Sequence, residues 1–262
     1  MAATVRTHGS GSLQAYLIHG GPGAQGSLHG LAASLELPCA EILQRRASDE
    51  PLTVQRHVED MAQIITEPAT LIGHSWGAML SLSFASLYPT RCKQLILLGC
   101  GTFSLASRAE YERIMAERTD PSRKEALKAA IENAQSMEER GRAFAAYGAF
   151  STNLQAFDPI PDPYPEPESN FDLIGHRETW KDVLRLQSEG IEPARFANIN
   201  CPVTLIHGDH DPHVGRALLA DLQPFIPQIK YIELPDCGHE PWLESGARDE
   251  FLQLLRGLTT AD

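Results

Sequence analysis

The stretch LIGHSWGAML, residues 71–80, places a serine between two glycines at the point where one sequence pattern gives way to another. The apolar run PATLIG (68–73) leads into it, and the apolar helical pattern GAMLSLSFASLY (77–88) follows it. A short, continuously apolar run is typical of a strand buried on both faces of a parallel sheet. The stretch therefore predicts a strand, a tight turn and a helix, with the hydroxyl of Ser75 exposed on the turn.

Similar units recur on both sides of this stretch. Further apolar runs predict strands at AYLIHG (15–20), QLILLG (94–99), PVTLIHG (202–208) and IKYIEL (229–234). Helical patterns occur at HVEDMAQII (57–65) and ARDEFLQLLRGL (247–258). Strands that alternate with helices predict an α/β fold with a mostly parallel central sheet flanked by helices.

The middle of the chain has a different pattern, with no convincing strand. Residues 122–150 are helix-prone, and residues 176–190 form a second amphipathic pattern with Gly190 as its expected end. We therefore predict a core of residues 1–102 and 196–262, with a helical cap, residues 103–195, inserted after the strand near residue 99.

A proline-rich segment lies within the predicted cap. In DPIPDPYPEPE (158–168), proline occupies every second position, which fixes the backbone in an extended form and removes hydrogen-bond donors. The spacing never gives the P-x-x-P step read by proline-binding domains. A stiff strap over the core is favoured over a docking peptide.

Composition narrows the class of protein. The 262 residues carry a net charge of −12, which disfavours nucleic acid as a partner. No apolar stretch approaches the roughly 18 residues of a membrane span, and the N-terminal residues do not resemble a secretory signal. Five scattered cysteines without a CxxC pair fit reduced thiols. A cytoplasmic protein that does not associate with a membrane is expected, with its oligomeric state undetermined.

A glycine-rich motif, His19-Gly20-Gly21-Pro22-Gly23, directly follows the first predicted strand. Together with Gly73-His74-Ser75-Trp76-Gly77, it resembles the α/β-hydrolase superfamily, and HGGPG is most similar to proline iminopeptidases and related aminopeptidases and esterases. The resemblance implies that the backbone N–H groups of Gly21 and Trp76 form an oxyanion hole.

A serine nucleophile needs a base held by an acid, and the α/β-hydrolase order is serine, acid, histidine. Two candidate acids, Asp209 and Asp211, follow the strand PVTLIHG, and the family spacing favours Asp211. The histidine that falls at the family's catalytic position is His239, after the strand IKYIEL. All of these groups are expected at one edge of the sheet, where open α/β sheets bind ligands.

One segment departs from the iminopeptidase pattern. Those enzymes carry an Asp-Gln-Arg-Gly-type segment where this chain has Leu43-Gln44-Arg45-Arg46-Ala47-Ser48. A peptidase that reads a free amino terminus would need cap carboxylates, for which the candidates are Glu138, Glu139, Glu178 and Glu189. An esterase would need an apolar acyl pocket, for which the candidates are Phe144, Tyr147, Phe150 and Trp180.

The predicted activity is hydrolysis of an ester or amide bond in a small molecule or short peptide, without a cofactor or metal. Two alternatives remain open. One is a receptor of the same fold that binds a small ligand with slow or no turnover. The less favoured one is a metal-dependent hydrolase built on His207, Asp209, His210, Asp211 and His213, which lacks a second ligand cluster and an H-E-x-x-H motif.

Overall fold

A computed structural model describes residues 3–166 and 171–260. Its strands are β1 (Thr4–His8), β2 (Ala15–Ile18), β3 (Cys39–Leu43), β4 (Ala69–His74), β5 (Cys92–Leu98), β6 (Val203–Gly208) and β7 (Ile229–Leu234). Its helices are α1 (His29–Leu35), α2 (Val54–Ile64), α3 (Trp76–Leu87), α4 (Leu105–Arg118), α5 (Pro121–Glu132), α6 (Met137–Asn153), α7 (Leu173–Ser188), α8 (Gly215–Leu222) and α9 (Arg248–Thr260).

The seven strands form one sheet in the order β1-β3-β2-β4-β5-β6-β7. Every neighbouring pair is parallel except β1 with β3, so β1 is an antiparallel edge strand. This confirms the predicted α/β class and all five predicted strands. The carboxyl ends of β2, β4, β6 and β7 consequently lie on one edge of the sheet.

The sheet is covered on both faces, which explains why its central strands are apolar without alternation. Leu71 and Leu95 belong to a cluster that also holds buried side chains of α2, α3 and α8. Their neighbours Ile72 and Ile96 belong to a second cluster with α1 and α9. Successive strand residues therefore supply opposite hydrophobic layers.

The sequence analysis missed β1 and β3 because charged residues interrupt their apolar character. Glu41 in β3 is fully buried, and its carboxylate binds the Arg6 guanidinium of β1 at 2.5 Å. The Leu28 backbone N–H also donates to Glu41. Buried carboxylates are rare unless they are paired in this way, and a pair cannot be read from a single strand.

Four helices, α4 to α7, connect β5 to β6, and the described residues between these strands contain no further strand. The helix-prone stretch 122–150 is divided into α5 and α6 because Ser136 caps a new helix, accepting from the Glu139 N–H at 3.1 Å. Helix α7 ends two residues before Gly190, whose φ of 70° suits glycine at a helix terminus. No described helix is long and apolar enough to cross a membrane.

The proline-rich segment runs along the edge of the core as far as Glu166, and its Pro167 and Glu168 lie outside the described residues. Pro159 forms an isolated antiparallel bridge with Glu244, and the Ile160 N–H donates to the Leu243 carbonyl oxygen at 2.8 Å. Near its far end, Glu166 pairs with Arg6 at 2.7 Å. The segment is thus fastened to the core at two places.

Candidate active site

Ser75 occupies the turn between β4 and α3 with a strained backbone. Its φ of 54° and ψ of −118° are outside the regions that residues with a side chain normally adopt. The turn is held by the Ser75 N–H, which donates to the Leu98 carbonyl oxygen at 2.8 Å. Such strain is characteristic of a serine held exposed at a strand-to-helix turn.

The two glycines of the serine motif are required by close backbone approaches. A methyl group at Gly77 would overlap the carbonyl oxygen of Ile18, and one at Gly73 would overlap that of Gly77. Helix α3 can therefore start directly behind β2 only if these positions lack side chains. This is the physical basis of the spacing seen in the sequence.

His239 and Asp211 form a buried pair after β7 and β6. His239 Nδ1 lies 2.8 Å from Asp211 Oδ2, and both residues are buried. Burial alone would lower the pKa of His239, but the charge and hydrogen bond of Asp211 outweigh it and raise that pKa above its ordinary value. Although burial opposes ionisation of Asp211, His239 holds the pKa of this carboxyl well below its usual range. Asp211 is therefore an anion that stabilises a protonated imidazole.

The rival acid Asp209 is engaged elsewhere. Its Oδ1 accepts from the Cys237 N–H at 3.2 Å, which helps to shape the loop before His239. The structure therefore pairs Asp211, and not Asp209, with the histidine.

The serine turn and the histidine meet through their neighbours. His74 is buried, its ring lies 4.7 Å from that of His239, and its Nε2 lies 3.1 Å from the His239 carbonyl oxygen. Gly99 follows the strand that holds the Ser75 N–H, and a methyl group there would lie 2.8 Å from His239 Nδ1. Among the described residues, no hydrogen bond joins Ser75 Oγ to His239. The geometry brings the two residues to the same edge without closing that bond.

The HGGPG loop lies against the serine turn. A methyl group at Gly20 would lie 3.1 Å from Ser75 Cβ, and Gly21 has a φ of 44° that glycine tolerates best. The backbone N–H groups of Gly21 and Trp76 have no acceptor among the described residues. Trp76 begins α3, where free N–H groups and the helix dipole favour negative charge.

The remaining loop residues have structural contacts. His19 is buried, and burial lowers its pKa, so that it is neutral. Gln44 joins the two motifs, since its Nε2 donates to the His19 carbonyl oxygen at 3.1 Å and its Oε1 accepts from Trp76 Nε1 at 2.9 Å. The segment that departs from the iminopeptidase pattern therefore contributes Gln44 to the framework of the site.

The N-terminal end of helix α7 in the cap is hydrogen-bonded to the HGGPG loop. The Asp172 N–H donates to the Gly23 carbonyl oxygen at 2.9 Å, and His176 Nδ1 lies 3.1 Å from the Pro22 carbonyl oxygen. Asp172 also accepts from the Ala47 N–H at 2.6 Å. The cap is thus fixed to the same loop that carries Gly21.

A cleft of about 320 Å³ lies among α4, α5 and α6. Aromatic and aliphatic side chains dominate its wall, including Tyr111, Tyr147, Phe150 and Leu154. Of the residues proposed for an acyl pocket, Tyr147 and Phe150 line it. Trp180 instead packs against the core, and Phe144 is not part of the cleft wall.

The sequence analysis missed several residues that hold the site together. It assigned no role to His74 beyond the serine motif, yet the ring and Nε2 of His74 contact His239. Buried Glu244 was not recognised either. Its carboxylate accepts from the Gly238 N–H at 2.9 Å and from the Phe157 and Asp158 N–H groups at 2.9 and 2.7 Å. A single glutamate between a predicted strand and a predicted helix has no spacing or periodicity that would indicate these contacts.

The histidine-rich stretch after β6 does not assemble a metal site. Within the described residues, no group of three or more His, Cys, Asp or Glu side chains is arranged to hold a metal ion. His207 Nε2 accepts from the Cys100 N–H at 3.0 Å, and His210 contacts Phe157 edge to face. These histidines are thus used in packing and backbone contacts. All five cysteines are buried free thiols.

Comparisons with known proteins agree with this architecture. A family model described as alpha/beta hydrolase fold matches residues 52–245. The curated cis-3-alkyl-4-alkyloxetan-2-one decarboxylase of Shewanella oneidensis is 33% identical over 58 residues, which cover 20% of this chain and 18% of that protein. The match therefore spans less than a fifth of the curated relative.

Solved structures match over nearly the whole chain. A thermophilic esterase from Thermogutta terrifontis has a TM-score of 0.61 and 18% identity, covering 98% of this chain and 92% of that one. A monoacylglycerol lipase from Paleococcus ferrophilus has a TM-score of 0.61 and 15% identity, covering 99% and 98%. At these identities the likeness shows the fold.

Proposed function

Because the chain belongs to the alpha/beta hydrolase fold family, we propose that it is a serine hydrolase that cleaves an ester or amide bond of a small substrate through an acyl-enzyme. The observation that carries the proposal is the 2.8 Å contact between His239 and Asp211 at the sheet edge where the strained Ser75 turn lies. A nucleophile, a base and an orienting acid on one edge are the parts such catalysis needs.

The reaction follows from these groups. Ser75 Oγ attacks the acyl carbonyl carbon while His239 Nε2 takes the hydroxyl proton, and Asp211 holds the imidazole through Nδ1 and stabilises its charge. The oxyanion accepts from the Gly21 and Trp76 N–H groups, each worth roughly 3 kcal/mol in comparable sites. His239 then protonates the leaving group. Water, deprotonated by His239, releases the acid and restores Ser75.

Within this activity, the contacts of the cap favour an ester over a peptide with a free amino terminus. Glu178 accepts from the Leu52 N–H at 2.9 Å, Glu189 pairs with Arg185 at 2.6 Å, and Glu139 accepts from the Gln135 N–H at 2.8 Å. None of these three carboxylates lines the cleft, whose wall contains a single carboxylate, that of Glu112. The side chain of Glu138 lies outside the described residues.

A fluorophosphonate probe tests the proposal directly. Intact-protein mass spectrometry should show one adduct on the wild type and none on Ser75→Ala. The matched control is Ser86→Ala in α3, the helix that begins directly after Ser75. This change removes a buried hydroxyl that donates to the Ser83 carbonyl oxygen. A label that persists in Ser75→Ala would refute the assignment.

Turnover assays then separate the substrate classes. We expect hydrolysis of p-nitrophenyl butyrate and little hydrolysis of N-terminal prolyl or alanyl arylamides. Hydrolysis of the arylamides alone would contradict the ester assignment. A protein that stays unlabelled and inactive but binds a small molecule tightly would support the receptor alternative.

A further inference from the structure

The peptide between Gly20 and Gly21 carries one of the proposed oxyanion donors, the Gly21 N–H. Neither residue has a side chain, so steric repulsion alone does not prevent this peptide from rotating. It borders the serine turn, since a methyl group at Gly20 would lie 3.1 Å from Ser75 Cβ. A flipped peptide would present the Gly20 carbonyl oxygen in place of the N–H and would repel an oxyanion. The site therefore needs a contact that holds this peptide in one orientation.

His19 makes such a contact. Its Nδ1 lies 2.9 Å from the Gly20 carbonyl oxygen. The Gly20–Gly21 peptide is trans, and a trans peptide holds its carbonyl and its N–H antiparallel. The Gly21 N–H consequently points away from the imidazole of His19. A hydrogen bond that fixes the carbonyl on one side of the peptide thus fixes the direction of the donor on the other side.

Gln44 determines which nitrogen of His19 carries the proton. The Gln44 N–H donates to His19 Nε2 at 3.2 Å, so this nitrogen is an acceptor. Burial lowers the pKa of His19, and a neutral imidazole has a single N–H, which must then be at Nδ1. Only this tautomer satisfies both ring nitrogens, because the Gly20 carbonyl oxygen can only accept. Gln44 therefore makes the ring a donor to the peptide.

The side chain of Gln44 joins this loop to the second proposed donor. Its Nε2 donates to the His19 carbonyl oxygen at 3.1 Å, and its Oε1 accepts from Trp76 Nε1 at 2.9 Å. The Gln44 carbonyl oxygen accepts from Gln25 Nε2. Every polar group of this buried residue is thus bonded, and such a satisfied network is rigid. One residue connects the loop of Gly21 with Trp76, whose N–H is the other donor.

We propose that His19 and Gln44 are positioning residues that hold the Gly21 N–H in the direction of the oxyanion and keep it at a fixed separation from the Trp76 N–H. This inference rests on the proposed serine hydrolase function. Both residues are buried and act through the backbone of the loop. Their loss should therefore weaken stabilisation of the oxyanion more than binding of the ester.

Two variants of His19 separate the roles of its nitrogens. The amide of asparagine can take the place of Nδ1, whereas the amide of glutamine reaches the place of Nε2. His19→Gln should lose the bond to Gly20 and lower kcat for p-nitrophenyl butyrate by about 10²-fold, with little change in KM. His19→Asn should keep this bond and recover most of the loss. Gln44→Met keeps the backbone N–H but removes both side-chain bonds, so it should lower kcat as well.

A trifluoromethyl ketone reports on the oxyanion itself. With propyl trifluoromethyl ketone, Ser75 Oγ would form a bond to the carbonyl carbon, the hydroxyl proton would pass to His239, and the carbonyl oxygen would become an oxyanion. The adduct resembles the transition state for the butyrate ester. Its inhibition constant should therefore rise across the variants in proportion to the fall in kcat/KM.

The control is Gln228→Met, which also removes side-chain bonds from a glutamine to backbone. Gln228 Nε2 donates to the carbonyl oxygens of Ile199 and Cys201 at 2.8 and 3.2 Å. These residues precede β6 and β7, so they lie at the edge of the sheet opposite the candidate site. Gln228→Met should leave kcat and the inhibition constant unchanged, even where it lowers the urea midpoint.

Three outcomes distinguish the proposals. Wild-type values of kcat and of the inhibition constant in both His19→Gln and Gln44→Met would overturn this inference and leave the hydrolase proposal intact. An equal loss in His19→Asn and His19→Gln would overturn it too, because the donor at Nδ1 would then be immaterial. If His19→Gln fails to fold, Gln44→Met carries the same test. Absence of both ester hydrolysis and fluorophosphonate labelling in the wild type would overturn the proposed function and this inference with it.

Discussion

Replacing Glu244 by glutamine should loosen the loop that carries His239. The carboxylate accepts three backbone N–H groups, two through Oε1, from Gly238 and Phe157, and one through Oε2, from Asp158. A glutamine oxygen can keep the two bonds at Oε1, but its NH₂ group then faces the Asp158 N–H, which loses its acceptor.

The magnitude follows from this count. The hydrogen bond that the Asp158 N–H loses, to a charged acceptor, contributes about 1.5–3 kcal/mol, and loss of the charge weakens the two remaining bonds by up to about 1 kcal/mol. Glu244→Gln should therefore lower the free energy of unfolding by about 2–4 kcal/mol. Because Gly238 directly precedes His239, kcat for p-nitrophenyl butyrate should fall as well, with little change in KM.

Urea unfolding followed by circular dichroism measures the stability change, and initial rates measure kcat and KM. The matched control is Glu178→Gln, which replaces a carboxylate bound to one backbone N–H, that of Leu52, and should cost less than about 1 kcal/mol. Equal urea midpoints for Glu244→Gln and the wild type would refute the reasoning, because the three contacts would then contribute nothing.

Three further changes probe the site and its frame. The acid limb of the kcat/KM pH profile should have its midpoint above pH 6.5, because Asp211 raises the pKa of His239. Asp211→Asn should move this limb to lower pH and reduce kcat by about 10³- to 10⁴-fold. A limb that does not move in the variant would contradict the pairing of Asp211 with His239. Burial lowers the pKa of His57 to about 4, so between pH 6.5 and 4 the unfolded chain binds a proton that the folded protein does not. As the pH is lowered through this range, His57 should reduce the free energy of unfolding by up to about 1.4 kcal/mol per pH unit. His57→Gln should flatten the loss of melting temperature between these pH values, and an unchanged slope would argue against a neutral buried His57. Gly77→Ala should destabilise the protein by about 3 kcal/mol or prevent folding, because the added methyl group overlaps a backbone oxygen of β2. The control Gly257→Ala should fold normally, because the space around Gly257 is open. A well-folded Gly77→Ala protein would show that α3 can shift.

The central part of the fold was predictable because its signals are local. Buried parallel strands are continuous apolar runs, and the glycines around Ser75 are required by contacts within one strand–turn–helix unit. Strands β1 and β3 were not predictable, because Glu41 is acceptable in β3 only through Arg6 of β1, which is far away along the chain.

The candidate site shows the same difference between residues with local signals and residues whose contacts join distant segments. Sequence order and spacing predicted Ser75, Asp211 and His239 as candidates, and the structure places Asp211 against the histidine. The supporting contacts of His74, Gln44 and Glu244 join segments that are distant in sequence, so no pattern in any one segment indicates them.

The helices between β5 and β6 differ in how closely they are joined to the candidate site. Helix α7 is bonded through Asp172 to Gly23, so a shift of this helix would displace the loop whose Gly21 N–H is proposed as one donor to the oxyanion. Helices α5 and α6 pack mainly on each other and supply much of the cleft wall. Exchange of residues 121–153 between homologues should therefore change the shape of the cleft and leave the candidate catalytic residues in place.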